Sequence, residues 1–198
     1  MTTQNTGEAT AAAKDGRRER SERSRHKIAE AMIELIMAGD FFPSAEAVAE
    51  KAGVGLRTVF RHYKDMDNLF LEVSQIMRAR LHPRFALKHN HADWREQMNE
   101  IVSTRASGFE HVMPMQQSTY SQRYRSKFVK GEIERTNEML RTMLIETLPS
   151  EIRRSKTKLE ALDATLSPAM WMRLRTDQNL DPKSAEKVLK ALVEAIIA

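Results

Sequence analysis

The sequence predicts an all-α fold in two parts, and three observations predict it. Seven glycines and six prolines in 198 residues are about half of what an average usage near 12% supplies, so tight turns are scarce. Aromatic residues make up only 6% of the chain while methionine occurs 12 times, a poor stock for a many-stranded sandwich or barrel with a turn roughly every 8–12 residues. Apolar residues instead recur at i, i+3, i+4 and i+7 through most of the chain, the period of one helix face.

Hydrophobic residues at 41% and charged residues at 30% supply a core and exclude a wholly disordered chain. Cysteine is absent, which excludes disulfides, thiolate metal sites and a cysteine nucleophile. No apolar run reaches the ~20 residues of a membrane span, and residues 1–13 lack the apolar stretch of a secretory signal. The expectation is a cytoplasmic protein with no membrane partner. A net charge of +5 points to a polyanionic partner, provided that the charge is focused somewhere.

Taken in order, residues 1–22 carry no apolar periodicity and end in Arg17, Arg18, Arg20, Glu19 and Glu22, and are expected to form a disordered basic arm. From Ser24 onward Ile28, Ala31, Met32, Leu35 and Ile36 share one helical face that Gly39 can end. Phe41-Phe42-Pro43 forces extended backbone, because the residue before proline is pushed out of the α region. Ser44 is an N-cap candidate for a short helix over 45–51, Gly53 suits the left-handed position after it, and a third helix follows over 56–63. Asp65, Asp67 or Asn68 can cap a fourth, whose Leu69, Phe70, Val73, Ile76 and Met77 run to about Leu81, where His82-Pro83 closes it. Beyond Asp93 the periodicity predicts a helix to about His111, interrupted at Pro114, and another from Tyr120 to Leu148, stopped by Pro149. Two more follow over 156–175 and 184–197. The predicted organisation is an arm over 1–22, a three-helix domain over 23–68 and a larger helical domain over 69–198.

Two short helices joined by Ala52-Gly53-Val54 are the sequence form of a helix-turn-helix, whose second helix enters the DNA major groove. Ala49, four residues before Gly53, lets the two backbones approach. Gly53 supplies a positive φ without a Cβ penalty, and Val48, Ala52, Val54 and Val59 can face a common core. The outward face of the third helix holds Arg57, Thr58, Arg61, His62 and Lys64, with no acidic residue between Gly55 and Lys64. Residues 1–70 as a whole carry 11 Lys and Arg against 11 Asp and Glu. Basicity is therefore concentrated where phosphate contacts need it.

The stretch from Ser44 to Val54, followed by Thr58-Val59-Phe60-Arg61-His62-Tyr63 and Asp67-Asn68-Leu69-Phe70, resembles the TetR family of bacterial transcriptional regulators. With the first helix included, the resemblance covers about 45 residues; beyond them only helix count, length and a Ser-Pro-x-x-Trp segment at Trp171 match. It implies a homodimer that binds a palindromic DNA operator and leaves it when a small-molecule effector binds, most often as a repressor. Two positions depart from the family pattern. Met66 stands where a lysine is frequent, so that a phosphate contact shifts to Lys64, and Ala45 follows the cap Ser44 where a DNA-touching Thr or Arg is common. Arg57 can pair bidentately with guanine, Leu56 and Thr58 can touch thymine methyls, and the resemblance directs Phe60 and His62 to the DNA backbone. Arg25, in the basic segment 17–27, could reach a minor groove.

In the larger domain Met98, Phe109, Met113, Tyr120, Tyr124 and Trp171 are soft or aromatic, as in adaptable pockets and equally in plain cores. The resemblance implies an effector pocket here, in which Arg105 and His111 could orient a polar or anionic ligand. The stripes Leu159, Leu162, Leu166 and Met170, then Leu189, Leu192 and Ile196, suit a four-helix bundle across a two-fold axis, though they could also pack within one subunit. His89 and His91 read as a surface loop rather than a metal site, because no ligand cluster lies nearby in sequence. No catalytic triad, Walker motif or dinucleotide-binding glycine pattern occurs, so no enzyme activity, cofactor or metal is expected. Two other readings remain: a helical small-molecule-binding protein with a vestigial helix-turn-helix, and an architectural DNA-binding protein without an effector.

Overall fold

The computed structural model describes residues 5–85, 91–124 and 126–198. All of its regular elements are helical, with no strand among the described residues. The chain divides into two compact units, Met1–Val73 and Ser74–Ala198. The division falls five residues later than expected, inside a single continuous helix.

In the first unit, α1 (Asn5–Met37) is followed by α2 (Ala45–Ala52), α3 (Leu56–His62) and the start of α4 (Met66–Leu81). Of the segment expected to be a disordered arm, residues 5–22 belong to α1 instead, and residues 1–4 lie outside the described ones. Its sequence is alanine-rich, a strong helix former. Arg18 pairs with Glu22 at 3.0 Å and Arg23 with Glu19 at 4.0 Å, the i, i+4 spacing that supports an exposed helix by a few tenths of a kcal/mol per pair. Periodicity misses such a helix because helix propensity and charge pairing leave no apolar stripe in the sequence. The second half of α1 buries Ile28, Ala29, Met32, Ile33 and Ile36 against Val48, Ala49, Val59, Leu69 and Phe70. Gly39, at φ +100°, ends α1 and donates its N–H to the Ile36 carbonyl at 3.0 Å.

The second unit contains the rest of α4, a 3₁₀ turn (His82–Phe85), α5 (Trp94–Gln122), α6 (Lys127–Thr147), α7 (Ser150–Arg154), α8 (Lys156–Thr165), α9 (Pro168–Met172), a π turn (Arg173–Asp177) and α10 (Pro182–Ile197). Its core joins α5, α6, α8 and α10 through residues such as Met98, Phe109, Leu144, Leu162, Leu166, Trp171 and Leu189.

Three expectations are corrected here. Pro114 does not interrupt α5, because Phe109, Val112 and Met115 on either side of it are all buried; their burial outweighs the roughly 3 kcal/mol of an interior proline. The next helix begins at Lys127 rather than Tyr120, where the Ser126 hydroxyl accepts the Val129 N–H at 3.4 Å. The helix expected over 156–175 is split at Ser167-Pro168. Ser167 caps Met170 at 3.2 Å, and Pro168 occupies a first-turn position where its missing N–H is harmless.

Candidate functional site

The turn between α2 and α3 is built by local chemistry. The Ser44 hydroxyl accepts the Ala47 N–H at 3.2 Å, and Gly53 sits at φ +67°, ψ +36° with its N–H directed to the carbonyls of Ala49 and Glu50. Gly55 then leads in with extended backbone, and Val59, the one fully buried residue of α3, faces the core. That single inward point turns the rest of α3 to solvent. Leu56 (38% exposed) and Phe60 (48%) lie at the surface, with Arg57, Arg61 and Lys64 exposed beside them. Positions 56, 57, 60 and 61 trace one helical face that mixes two cations with two apolar tips, and Lys64 adds a third exposed cation just past the end of the helix. Thr58 and His62 are half-buried at its edges.

Other expected contacts are placed differently. Ala45 is buried, so its methyl belongs to the core and not to an outer surface. Ser44 is exposed, but its hydroxyl is engaged as the cap. Arg25 is held within its own unit. Its Nε donates to both Glu72 oxygens, at 3.1 and 2.8 Å, its Nη2 donates to the same carboxylate, and the guanidinium lies 5.2 Å above the Tyr63 ring. The Tyr63 hydroxyl donates to the Arg25 carbonyl at 3.2 Å. The hydrogen bond to Glu72 holds the guanidinium even further up than usual. Arg25 thus braces α1 against α4, and a minor-groove role would require it to leave that pair. His62 has a buried Nε2 without a partner among the described residues. Burial, then Arg61 and Arg25, push its pKa down, against the opposing pull of Glu72.

In the second unit a cavity of about 90 Å³ lies among the end of α4, the 3₁₀ turn, α5 and α6. Phe109 and Tyr120 line it as expected, with Phe85, Met115 and Ile133. Gly108 lets α5 approach the lining residue Phe85, since a Cβ there would come within 2.6 Å of its ring. The remaining expected ligand contacts lie outside this lining. Met98 is buried in the core and Met113 is half-buried. Tyr124 is 85% exposed, with Arg123 stacked 4.5 Å from its ring. Trp171 is buried and donates its Nε1–H to Glu110 at 3.0 Å. That carboxylate also accepts from Arg175, at 2.8 Å on each oxygen, and the arginine holds it below the usual carboxylate range. His111 is exposed on an open groove beside Glu110 and Trp171.

Arg105 is also redefined. It is almost fully buried and donates to the Leu166 carbonyl at 2.8 Å and to the Leu140 carbonyl, joining α5 to α8 and α6. Burial lowers its pKa to about 10, with Asp163 opposing. Its η nitrogens are structural ties, although its edge touches a separate open cavity of about 490 Å³ with Gln97 and Glu146.

Sequence reading missed the polar lining of the smaller cavity: Ser74, Arg78, Gln116 and Glu132. A signal was present. Ser74 and Arg78 stand at i, i+4 on the helix stripe that also carries Met77 and Leu81, the stripe that faces inward.

Of the expected dimer residues, Leu162, Leu166 and Leu189 are at most 1% exposed. They pack inside the unit and are corrected to core. Leu159, Met170 and Ile196 are half-buried, and Leu192 is 38% exposed. Helix α10 is amphipathic twice over: Ala185, Leu189, Val193 and Ile197 face the core, while Ala191, Leu192 and Ala195 face out. His89 lies outside the described residues. His91 contacts Glu100 at 2.9 Å and Glu96 at 3.5 Å. Among the described residues no group of three or more His, Cys, Asp or Glu could hold a metal, and no helix is long and apolar enough to cross a membrane.

No protein-family model matches the chain, and no curated protein matches its sequence. Solved structures do. A transcriptional regulator from Rhodococcus sp. RHA1 superposes with a TM-score of 0.70 at 19% identity, over 87% of this chain and 95% of that one. A TetR-family transcriptional regulator from Streptomyces coelicolor gives 0.69 at 11% identity, over 88% and 79%. The multidrug binding protein EbrR, solved with imidazole, gives 0.63 at 19% identity, over 85% and 93%. The architecture is thus that of a helical chain headed by a helix-turn-helix. More particularly, this chain has the fold of the TetR-family transcriptional regulators.

Proposed function

We propose that the protein is a TetR-family, ligand-responsive transcriptional regulator that binds a palindromic operator as a homodimer. The carrying observation is the face of α3: Leu56, Arg57, Phe60 and Arg61 stand outward together on a helix that follows the Gly53 turn, with exposed Lys64 just past its end and no carboxylate among them. Arg57 and Arg61 suit base edges and phosphates, and Leu56 and Phe60 suit thymine methyls and sugars. The outward stripe of α10 supports two-fold pairing, the symmetry that a palindromic operator requires. The cavity in the second unit is where an effector acts. A ligand that binds the DNA-free form more tightly draws the population away from DNA, which makes the protein a repressor. The cytoplasm is the compartment this reading requires.

Selection of duplexes from a random pool by the full chain tests it. An enriched palindrome, bound about a thousandfold or more above random duplex, is the expected result. Recovery of no preferred sequence would return the helix-turn-helix to a vestige on a ligand-binding protein.

A further inference from the structure

Three residues that line the 90 Å³ cavity each carry a buried polar atom, Ser74 Oγ, Arg78 Nε and Gln116 Oε1, with no hydrogen-bond partner among the described residues. One such atom is a local imperfection, but three around one cavity make a recognition surface, since a buried unpaired group is costly and rare. Their chemistry is specific. Arg78 Nε–H can only donate, Gln116 Oε1 can only accept, and the Ser74 hydroxyl can do either.

Glu132 ties the two guanidinium groups of the site together. This carboxylate is 4% exposed and takes hydrogen bonds from Arg78 and Arg135. A carboxylate ligand can accept from Arg78 Nε–H, but it has no donor for Gln116 Oε1 and meets the nearby Glu132 carboxylate. A pure hydrocarbon would fit the apolar wall of Phe109, Met115 and Ile133 and leave all three polar atoms unpaired. At about 10–15 Å³ for each water-sized atom, the space holds on the order of six to nine non-hydrogen atoms.

We infer that this cavity takes a small neutral molecule with a one-ring apolar body and an adjacent hydrogen-bond donor and acceptor, the chemistry of a primary carboxamide. The inference rests on the effector reading and adds the ligand class to it. The acceptor end faces Arg78 Nε–H and the donor end faces Gln116 Oε1, with Ser74 closing either one.

Calorimetric titration of the full chain with benzamide, benzoate and isopropylbenzene, matched in shape and number of non-hydrogen atoms, tests the class. Benzamide should bind about tenfold or more tightly than either of the others, and Gln116→Leu should bring it level with isopropylbenzene. If Gln116→Leu fails to fold, Ser74→Ala should narrow the same gap. Benzoate binding best, isopropylbenzene matching benzamide in the unaltered protein, or no binding by any of the three overturns the inference. Repeating the titrations with the selected duplex present separates this outcome from that of the effector reading. Benzamide preference that is unchanged by duplex keeps the ligand class and removes effector control. Release of duplex by some other compound, with benzamide not bound, keeps effector control and removes the ligand class.

Discussion

At the scale of single residues, the proposed recognition face rests on exposed side chains of α3. Arg57 is exposed on the outward face of α3, so Arg57→Ala is expected to lose about 1–3 kcal/mol of binding to the selected duplex and to relax preference at one base pair per half-site. Equal loss on every sequence, in a competition binding assay, would assign it to phosphate alone. His62, behind that face, carries a pH dependence of known sign. Its pKa lies below the ordinary 6.5 because burial, Arg61 and Arg25 disfavour its charged form, with Glu72 opposing. The folded state therefore binds fewer protons here than the unfolded state. The stability that neutral His62 contributes is complete above pH 6.5 and is lost as pH falls from there through the lower folded value. Denaturant unfolding at pH 7.5 and 5.5 or so should show a smaller loss in His62→Gln than in the unaltered protein. Equal losses would place the titration elsewhere.

At the scale of elements, the geometry of the helix-turn-helix depends on backbone conformation more than on packing. A Cβ built on Gly53 meets nothing within 4 Å, yet its φ is +67°. Gly53→Ala therefore introduces no clash, and its cost is conformational, about 1–2 kcal/mol. Gly53→Asn should cost less, because asparagine tolerates the left-handed region. Thermal unfolding of both variants checks this order, and equal melting points would mean that the turn relaxes. The helices that sequence reading misplaced follow the same logic of local chemistry against tertiary burial. The start of α1 was hidden because Arg18–Glu22 and its neighbours stabilise it without an apolar stripe. The break at Ser167-Pro168 was legible as a cap followed by a first-turn proline, but the apolar stripe on either side masks it. At Pro114 the balance ran the other way, and burial of Val112 and Met115 carried α5 through.

At the scale of the whole molecule, α8 and α10 carry apolar residues of two kinds that periodicity cannot separate. Leu162 is inaccessible and Leu192 is 38% exposed, so substitutions at the two should have different consequences. Leu162→Ala is expected to destabilise the fold by about 2–5 kcal/mol with the association state unchanged. Leu192→Glu is expected to leave the fold intact and, if the proposed homodimer pairs through α10, to weaken it and DNA binding with it, because each copy would bury an unpaired carboxylate. Sedimentation velocity beside thermal unfolding reads both effects. A Leu192→Glu protein that stays dimeric would move the interface off α10.

The sequence by itself determined the all-α class, the helix-turn-helix and its register. These rest on short-range physics: helical spacing, the Ser44 cap, and a glycine where φ must be positive. Tertiary structure alone decided which apolar side chains turn inward, and with them the core role of Leu162, Leu166 and Leu189. It also took Ala45 off the outer surface, paired Arg25 with Glu72, tied Arg105 to two carbonyls, and gathered Ser74, Arg78 and Gln116 from two distant helices into the lining of one cavity. The physical reason is that a hydrogen bond or a burial between residues far apart in the chain depends on how helices cross, and the spacing of residues along one helix carries no record of that crossing.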